Sequence, residues 1–284
     1  MKGQFILFSR MLAVALAAIA ALFTLANPAM AQSTAPPLWE AGVFAGGFST
    51  PAYPASSDRA GRALVLPYVI YRGDVLRIDR STVGARFLHS EDFEVDVGFA
   101  ASLPASSADV QARSGMDDLG TLIEFGPRIR GTLAHLGPGR RIRLDLPLRT
   151  VLEVNNGIRS QGFAIEPEVT YEVRDFADGW RLSTGLSLVL GDSRLQQYFY
   201  GVPATYATSM RPAYEAQAGL LATRLSVSTA KSITPDVRVF AYVRHESYEG
   251  AANRASPLFL QSTGTSAGLG LTWTFARSTE RASD

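Results

Sequence analysis

The stretch Arg140–Val154 reads RRIRLDLPLRTVLEV and alternates between two kinds of side chain. A β-strand points alternate side chains to opposite faces, whereas a helix would spread these arginines around its whole circumference. The pattern therefore predicts a strand with one apolar face and one charged face. The apolar face carries Ile142, Leu144, Leu146, Leu148, Thr150, Leu152 and Val154, and the charged face carries Arg141, Arg143, Asp145, Arg149 and Glu153.

The next stretch, Gly162–Val173, repeats the alternation with apolar residues on one face and glutamates on the other. Neighbouring strands would place the basic face beside the acidic one, and opposite charges paired across strands contribute about 0.2–1 kcal/mol each. If these strands close into a barrel with their charged faces inward, the interior is either a small pore or ligand channel, or a charge network that fills a narrow barrel. We favour the second interpretation. The predicted lumen charge network consists of Arg141, Arg143, Asp145, Arg149, Glu153, Glu166, Glu168 and Glu172.

These strands are longer than the ~5–6 residues of a typical globular strand and approach the length that crosses a bilayer at a tilt. No segment after the N-terminus offers about 20 uninterrupted apolar residues, as a membrane-spanning helix requires. Only helices and closed barrels satisfy every backbone group in lipid. We therefore predict an all-β fold, an antiparallel transmembrane β-barrel with a polar lumen. A soluble sandwich with its polar face outside is the alternative.

Short glycine-bearing turns and long connections rich in Ser, Ala and Pro separate the predicted strands, as expected for periplasmic turns and extracellular loops. Parity between the two sides requires a reversal near Asp79–Thr82, which gives twelve strands; ten is the alternative because the pieces flanking this reversal are short. The predicted strands are Trp39–Phe48, Arg62–Arg72, Val75–Arg80, Val83–Leu88, Phe93–Leu103, Leu119–Leu133, Arg140–Val154, Gly162–Val173, Trp180–Leu190, Ala213–Val227, Asp236–Ser247 and Thr265–Ala276.

Residues 1–31 have the pattern of a cleaved secretory signal. Lys2 and Arg10 supply positive charge, Met11–Leu25 is uncharged and apolar, and Ala29-Met30-Ala31 fits the small-x-small cleavage site. A transmembrane anchor is the alternative, and Pro28 argues against it. We expect a signal peptide at 1–31, a short lead at 32–38, the barrel at 39–276 and a tail at 277–284.

Composition excludes several classes of protein. The 284 residues contain no cysteine, which removes both a disulfide framework and a thiol metal site. A net charge of +1 gives no support for a nucleic-acid partner. We predict no cofactor.

Two short patterns raise the question of catalysis. The segment Gly264–Gly268 matches Gly-x-Ser-x-Gly, but the nucleophile elbow needs a helix after the serine, and here an alternating strand continues. His245 and Ser247 share one face at the end of a strand, where a histidine can act as general base to a serine. We predict a polar cluster there rather than an enzyme, and keep lipid hydrolysis as an alternative.

Metal binding has little support in the sequence. His89, His135 and His245 are far apart and lack a thiol partner. The acidic pairs Asp117-Asp118 and Glu91-Asp92 could hold a loop Ca²⁺, although solvated acidic pairs usually bind nothing. We predict no metal site.

Several short strings of the sequence form a set that keeps its order along the chain. They are Pro51–Asp58, with Ala55 where glycine is usual, Leu66–Asp74, Tyr198–Val202, Pro212–Tyr214, Gly219 and Ser256-Pro257. Together these strings resemble the MipA/OmpV family of Gram-negative outer-membrane proteins. The resemblance implies an outer-membrane barrel without known catalytic residues; the founding member is described as a scaffold that joins a lytic transglycosylase to a peptidoglycan synthase, and other members are associated with adhesion or with osmotic and antibiotic responses.

We therefore expect a non-enzymatic outer-membrane protein, a scaffold for peptidoglycan-remodelling enzymes or a surface and envelope-stress protein. Its expected partners are outer-membrane lipid and, in the periplasm, murein hydrolase and synthase proteins. The alternatives are a small-solute channel and an outer-membrane lipid hydrolase.

Overall fold

The computed structural model describes residues 35–282 except 74–75, 79–82, 91, 103, 105, 108 and 156. Within these residues, thirteen strands form one antiparallel sheet, and a short helix α1, Ser193–Tyr200, lies between β10 and β11. The strands are β1 Trp39–Pro51, β2 Arg59–Arg72, β3 Leu76–Ile78, β4 Val83–His89, β5 Phe93–Ser102, β6 Thr121–His135, β7 Arg140–Val154, β8 Ile158–Ile165, β9 Glu168–Val173, β10 Arg181–Gly191, β11 Gly219–Ser232, β12 Val237–Ser247 and β13 Thr263–Arg277.

Sequence neighbours pair along most of the sheet, and the first strand also pairs with the last. Gly46 of β1 lies opposite Gly270 of β13. Because β10 pairs with both β9 and β11, the chain of pairings returns to its starting point. Each strand in this cycle therefore has a hydrogen-bonded neighbour on both sides over part of its length.

The predicted strand Gly162–Val173 is divided into β8 and β9 at Glu166-Pro167. Pro167 lacks the backbone N–H that a ladder needs and contributes to the break, although Pro67, Pro127 and Pro147 lie inside continuous strands. Both pieces nevertheless pair with β7 and with β10. They follow one another along a single path through the sheet.

The predicted start of β11 at Ala213 is also different in the structure. Tyr214 forms an isolated bridge with Val202, with backbone N–O distances of 2.9 and 3.0 Å. This bridge holds residues 213–218 in the long connection, and β11 begins at Gly219. The predicted signal peptide and the reversal at Asp79–Thr82 lie outside the described residues.

The two faces of the sheet differ in a direction opposite to that of a water-soluble protein. On β7, Leu146 and Leu148 are 38% and 45% exposed, whereas Asp145, which points to the opposite face of the same strand, is buried. On β10, Leu186 is exposed and Ser187 is buried. Large apolar side chains thus lie on an exposed face, and polar side chains lie on the buried face.

The main cluster of buried apolar side chains lies largely in the long connections. The connections 52–58, 103–120, 192–218 and 248–262 leave the sheet between β1 and β2, β5 and β6, β10 and β11, and β12 and β13. Because these exits are distributed around the cycle of strands, the connections meet across one end of the sheet; we call them the loop cap. Its core includes Tyr53, Val110, Met116, Tyr200, Val202, Tyr248 and Leu258.

The other end of the sheet carries short turns and is called the turn end.

In the part of the chain that the structure describes, no helix has the length and apolar character needed to cross a bilayer.

Candidate functional site

A ladder of ion pairs covers the buried face where β7 meets β9. The register places Arg141 opposite Glu172, and Arg141 Nε lies 2.7 Å from Glu172 Oε2. Arg143 Nη1 contacts the other oxygen of Glu172 at 2.9 Å, and Arg143 Nε contacts Asp145 Oδ2 at 3.0 Å. The alternation on these strands thus brings opposite charges together across the sheet.

A second group of ion pairs surrounds Glu166, next to the break at Pro167. Arg149 Nη1 lies 3.0 Å from Glu166 Oε2, and Arg224 Nη1 lies 2.8 Å from Glu166 Oε1. Arg224 Nε also contacts Glu246 Oε1 at 2.5 Å. Tyr248 of the loop cap donates its hydroxyl to Glu246 Oε2 at 2.8 Å, so the network continues into the cap.

Two predicted network residues are placed apart from these ion pairs. Glu168 has no ion pair with any described residue, and its Oε1 accepts only a long hydrogen bond of 3.5 Å from Ser226 Oγ. Glu153 accepts neutral donors instead: Gly120 N at 3.0 Å, Tyr198 Oη at 3.1 Å and Gln161 Nε2 at 2.8 Å. Glu153 therefore fastens the end of β7 to the loop cap.

The ion-pair network extends onto β5 and β6, which were not part of the predicted network. Arg128 and Asp96 form a bidentate pair at 2.6 and 2.8 Å, and Arg130 Nε contacts Asp145 Oδ1 at 2.9 Å. The signal was present in the sequence, because Glu94 and Asp96 alternate on β5 as Arg128 and Arg130 do on β6. Matched charges at these distances can hold the strands together.

Side-chain hydrogen bonds fasten the connections of the loop cap to one another. Tyr53 Oη donates to the Leu258 carbonyl at 2.7 Å, and Ser256 Oγ donates to the Tyr200 carbonyl at 2.7 Å. Asn253 Nδ2 donates to Gln196 Oε1 at 3.1 Å. Burial raises the pKa of Tyr53 to about 12, despite the opposing field of nearby Arg113. The phenol therefore stays protonated, and keeps donating its hydrogen bond, to a more alkaline pH than an exposed tyrosine would.

Helix α1 also belongs to the cap, and the sequence analysis read its residues as loop. Asp192 caps it by accepting the Leu195 backbone N–H at 2.9 Å. Gly162 has φ +95°, and a Cβ there would collide with the Asp192 carboxylate, so glycine is required. An aspartate directly before Ser193–Tyr200 was the available start signal.

The catalytic candidates lie on different faces of the sheet: His245 and Ser247 share the exposed face of β12, and Ser266 lies on the buried face of β13. His245 Nδ1 lies 3.1 Å from Thr265 Oγ1, and Ser247 is opposite Thr263 in the register. Ser266 of the Gly264–Gly268 motif is buried, and its hydroxyl contacts Thr50 Oγ1 at 2.8 Å. The motif lies inside β13, so the turn and helix of a nucleophile elbow do not follow it.

The acidic candidates for metal binding are engaged by protein donors. Asp117 Oδ1 accepts from Tyr206 Oη at 2.9 Å, and Asp118 Oδ1 accepts from Ser107 N at 2.6 Å. The bonds from Ser107 hold the pKa of Asp118 below its usual value. His135 Nε2 contacts Asp92 Oδ1 at 2.8 Å on the surface.

Among the residues with described side chains, no group of three or more His, Asp or Glu is arranged to hold a metal. Glu91 and the side chain of His89 lie outside that part of the chain.

Comparison with known proteins identifies one family. The family model described as "MltA-interacting protein MipA" matches residues 43–275. No curated protein matches the chain.

The solved structures that match this chain share little sequence with it. An outer membrane channel from Pseudomonas putida F1 has a TM-score of 0.46 at 11% identity, covering 88% of this chain and 100% of that one. The outer membrane phospholipase of Salmonella typhi has a TM-score of 0.35 at 11% identity, covering 90% and 96%. The monoaromatic hydrocarbon channel CymD has a TM-score of 0.33 at 11% identity, covering 83% and 89%. With TM-scores below 0.5, these likenesses support no conclusion about this chain.

Proposed function

The chain belongs to the MipA family, whose model matches residues 43–275, and we propose that it is an outer-membrane β-barrel that serves as a non-enzymatic scaffold in the cell envelope. The proposal includes export through a cleaved signal at 1–31, a lead at 32–38, a barrel at 39–276 and a tail at 277–284. The loop cap then faces outward, and the turn end faces the periplasm.

The cycle of strand pairings and the exposed apolar face support the membrane assignment. If β8 and β9 are counted as one crossing, since both pair with β7 and β10, the barrel that we propose has twelve crossings. A closed barrel leaves no open edge in lipid, and its outward apolar side chains need no further cover. Side chains such as Val65 and Leu269, 72% and 69% exposed, then contact acyl chains.

The loop cap is the observation that favours a scaffold function over a channel function. Connections from separate positions around the cycle share one buried core, and an ion moving along the barrel axis would have to cross it. The ion pairs centred on Glu166 fill the buried face beneath the cap. A closed barrel with a matched charge network is suited to presenting a rigid surface rather than to conducting solutes.

Conductance separates the scaffold from the small-solute channel. The purified mature protein in a planar bilayer is expected to give no channel events, while a general porin in the same bilayer gives them. Reproducible single-channel conductance steps that depend on this protein would overturn the proposal that the loop cap closes the barrel, and would favour the channel.

The turn end carries the surface we propose for the periplasmic partner. Leu136, Phe176 and Ile233 are 51%, 56% and 55% exposed, each in a different short turn. These turns join strands that are close neighbours in the cycle, and we propose that their apolar side chains together form one patch, the kind of surface that marks an interaction site. The family description points to a lytic transglycosylase of the MltA type as the partner.

Binding to such a purified enzyme tests the scaffold directly. The mature protein in nanodiscs is expected to bind saturably by biolayer interferometry. Changing Leu136, Phe176 and Ile233 together to Ser should weaken binding about tenfold or more, because apolar anchors dominate such interfaces. Met210→Ser, at an apolar residue of the loop cap that is 93% exposed, is the control. Absence of binding by the wild-type protein would contradict the scaffold.

The non-enzymatic part of the proposal is tested at His245 and Ser247. Both lie on the same face of β12 as Val243, which is 43% exposed. The pure protein is expected to release no fatty acid from phospholipid vesicles or ester substrates. Hydrolysis that disappears in both His245→Ala and Ser247→Ala would make the chain a lipid hydrolase instead.

A further inference from the structure

A cavity of about 1040 Å³ opens beside α1, between the loop cap and the ends of β7 and β8. Its volume is at the upper end of the range of small-ligand sites. Arg113, Arg159 and Arg194 line it, together with acidic residues and amides. Arg159 and Arg194 are exposed, so solutes can enter from the cap end.

Most acids of the cavity wall already have protein partners. Asp117 accepts from Tyr206, Asp118 accepts from Ser107, and Glu153 accepts from three neutral donors. Within the described residues, Glu215 is the lining carboxylate that has no side-chain hydrogen bond or ion pair. These hydrogen bonds come from neutral donors, so the acids keep their negative charge, but among the described residues none of them forms an ion pair with Arg113, Arg159 or Arg194.

The arginines of the cavity lack the carboxylate partners that arginines of the buried face possess. Arg113 is only 5% exposed and donates to the carbonyls of Phe199 and Asp117, each at 3.3 Å. Its Nε has no acceptor among the described residues. Burial lowers the pKa of the Arg113 guanidinium, and the negative charge of nearby Asp117 only partly opposes this shift. Neither Arg159 nor Arg194 has a side-chain hydrogen bond or ion pair with a described residue.

We propose that this cavity binds a small solute bearing an oxyanion, a carboxylate or a phosphoryl group, through Arg113, Arg159 and Arg194. A guanidinium presents a planar fork of N–H donors that matches both oxyanions. The bound oxyanion is the partner that buried Arg113 lacks, while the two exposed arginines attract and orient the solute. Glu215 and the other carboxylates of the wall repel highly charged anions, so the proposed ligand is a solute of low charge.

Titration calorimetry on the refolded mature protein in neutral detergent tests this proposal with three probes. Inorganic phosphate and succinate represent the two oxyanions, and glucose is the uncharged control. At least one oxyanion is expected to bind with a Kd of about 1 mM or tighter, and glucose is not. The oxyanion that binds more tightly identifies the chemistry of the natural ligand. Failure of both to bind would overturn the proposal.

Variants of exposed residues keep the test independent of folding. Arg159→Gln and Arg194→Gln should each weaken oxyanion binding about tenfold, because each removes a charge-assisted contact. Glu215→Gln should strengthen binding a few fold by removing repulsion, on the order expected for a partly exposed charge pair. Arg254→Gln, an exposed arginine of the loop cap outside the cavity, should leave binding unchanged.

Binding that is insensitive to both arginine substitutions would assign the anion to another surface and contradict the site. Arg113→Lys extends the test inside the cavity, with circular dichroism and loop protease resistance checking that the cap remains folded. Because the measurement involves neither conductance nor a protein partner, its failure would leave the scaffold proposal standing.

Discussion

The buried face of the sheet and the loop cap are stabilised by different chemistry. The buried face is held by charges, as in the pairs of Arg224 with Glu166 and Glu246. The cap is held by apolar packing around Leu258 and by neutral hydrogen bonds such as that from Tyr53. In a barrel whose apolar residues face lipid, the interior is free to be polar, whereas loops in water have to bury apolar groups of their own.

The largest expected effect comes from removing one charge from the buried face. Arg224→Ala leaves Glu246, 6% exposed, without its cation, and should destabilise the protein by about 3–5 kcal/mol. Urea unfolding in detergent, followed by tryptophan fluorescence, measures this.

The double variant Arg224→Ala/Glu246→Gln should recover much of the loss, because it removes the unpaired charge as well. Arg181→Ala, at an exposed arginine of β10, is the matched control and should change stability by less than about 0.5 kcal/mol. Equal losses in Arg224→Ala and Arg181→Ala would show that the ion pairs do not stabilise the sheet.

Removing a buried apolar side chain from the loop cap should reduce stability somewhat less and more locally. Leu258 is fully buried, and Leu258→Ala should weaken the cap by about 2–4 kcal/mol. Hydrogen exchange should rise in the connections 52–58 and 192–218 and stay unchanged in β7. Exchange that rises equally in β7 would mean that cap and sheet unfold as one unit, which would remove the contrast between them.

Alkaline pH should also loosen the cap. The pKa of Tyr53 is raised to about 12 in the folded protein from 10.0, so the folded state holds a proton that the unfolded state releases. The stability associated with this proton is present below pH 10 and is lost as pH rises to about 12. Protease resistance of the cap should fall across this interval.

Tyr53→Phe should remove part of that pH dependence, since burial also raises the pKa of Tyr200. An unaltered pH profile in Tyr53→Phe would contradict the assignment to Tyr53.

The smallest effect expected is a gain in stability. Ala55 has φ +64°, a left-handed conformation that costs a residue with a Cβ about 1–2 kcal/mol. Ala55→Gly relieves this strain but loses a buried methyl group and gains unfolded-state entropy, so a net gain of about 0.5 kcal/mol in the cap is expected. The protease resistance of the loop cap measures this gain in stability. A loss of stability would mean that methyl packing outweighs the backbone strain.

Local patterns in the sequence predicted most strands because period-two alternation is a property of consecutive residues. It located β7 from Arg140 to Val154 and the chemistry of its two faces. It did not anticipate the break at Pro167, although proline is a recognised ladder breaker. It also missed α1, whose eight residues are too short to show helical periodicity and are signalled by the Asp192 cap alone.

The sequence by itself determined the all-β class, the family and which side chains share a face, because these depend on residue identity and on neighbours along the chain. Only the tertiary structure decided how the long connections meet in one cap and which arginines have carboxylate partners. Arg113 and Arg128 look alike in the sequence, yet one donates only to carbonyls and the other forms a bidentate pair with Asp96. Partners of this kind come from distant segments, and their distances are set by packing of the whole chain rather than by local propensity.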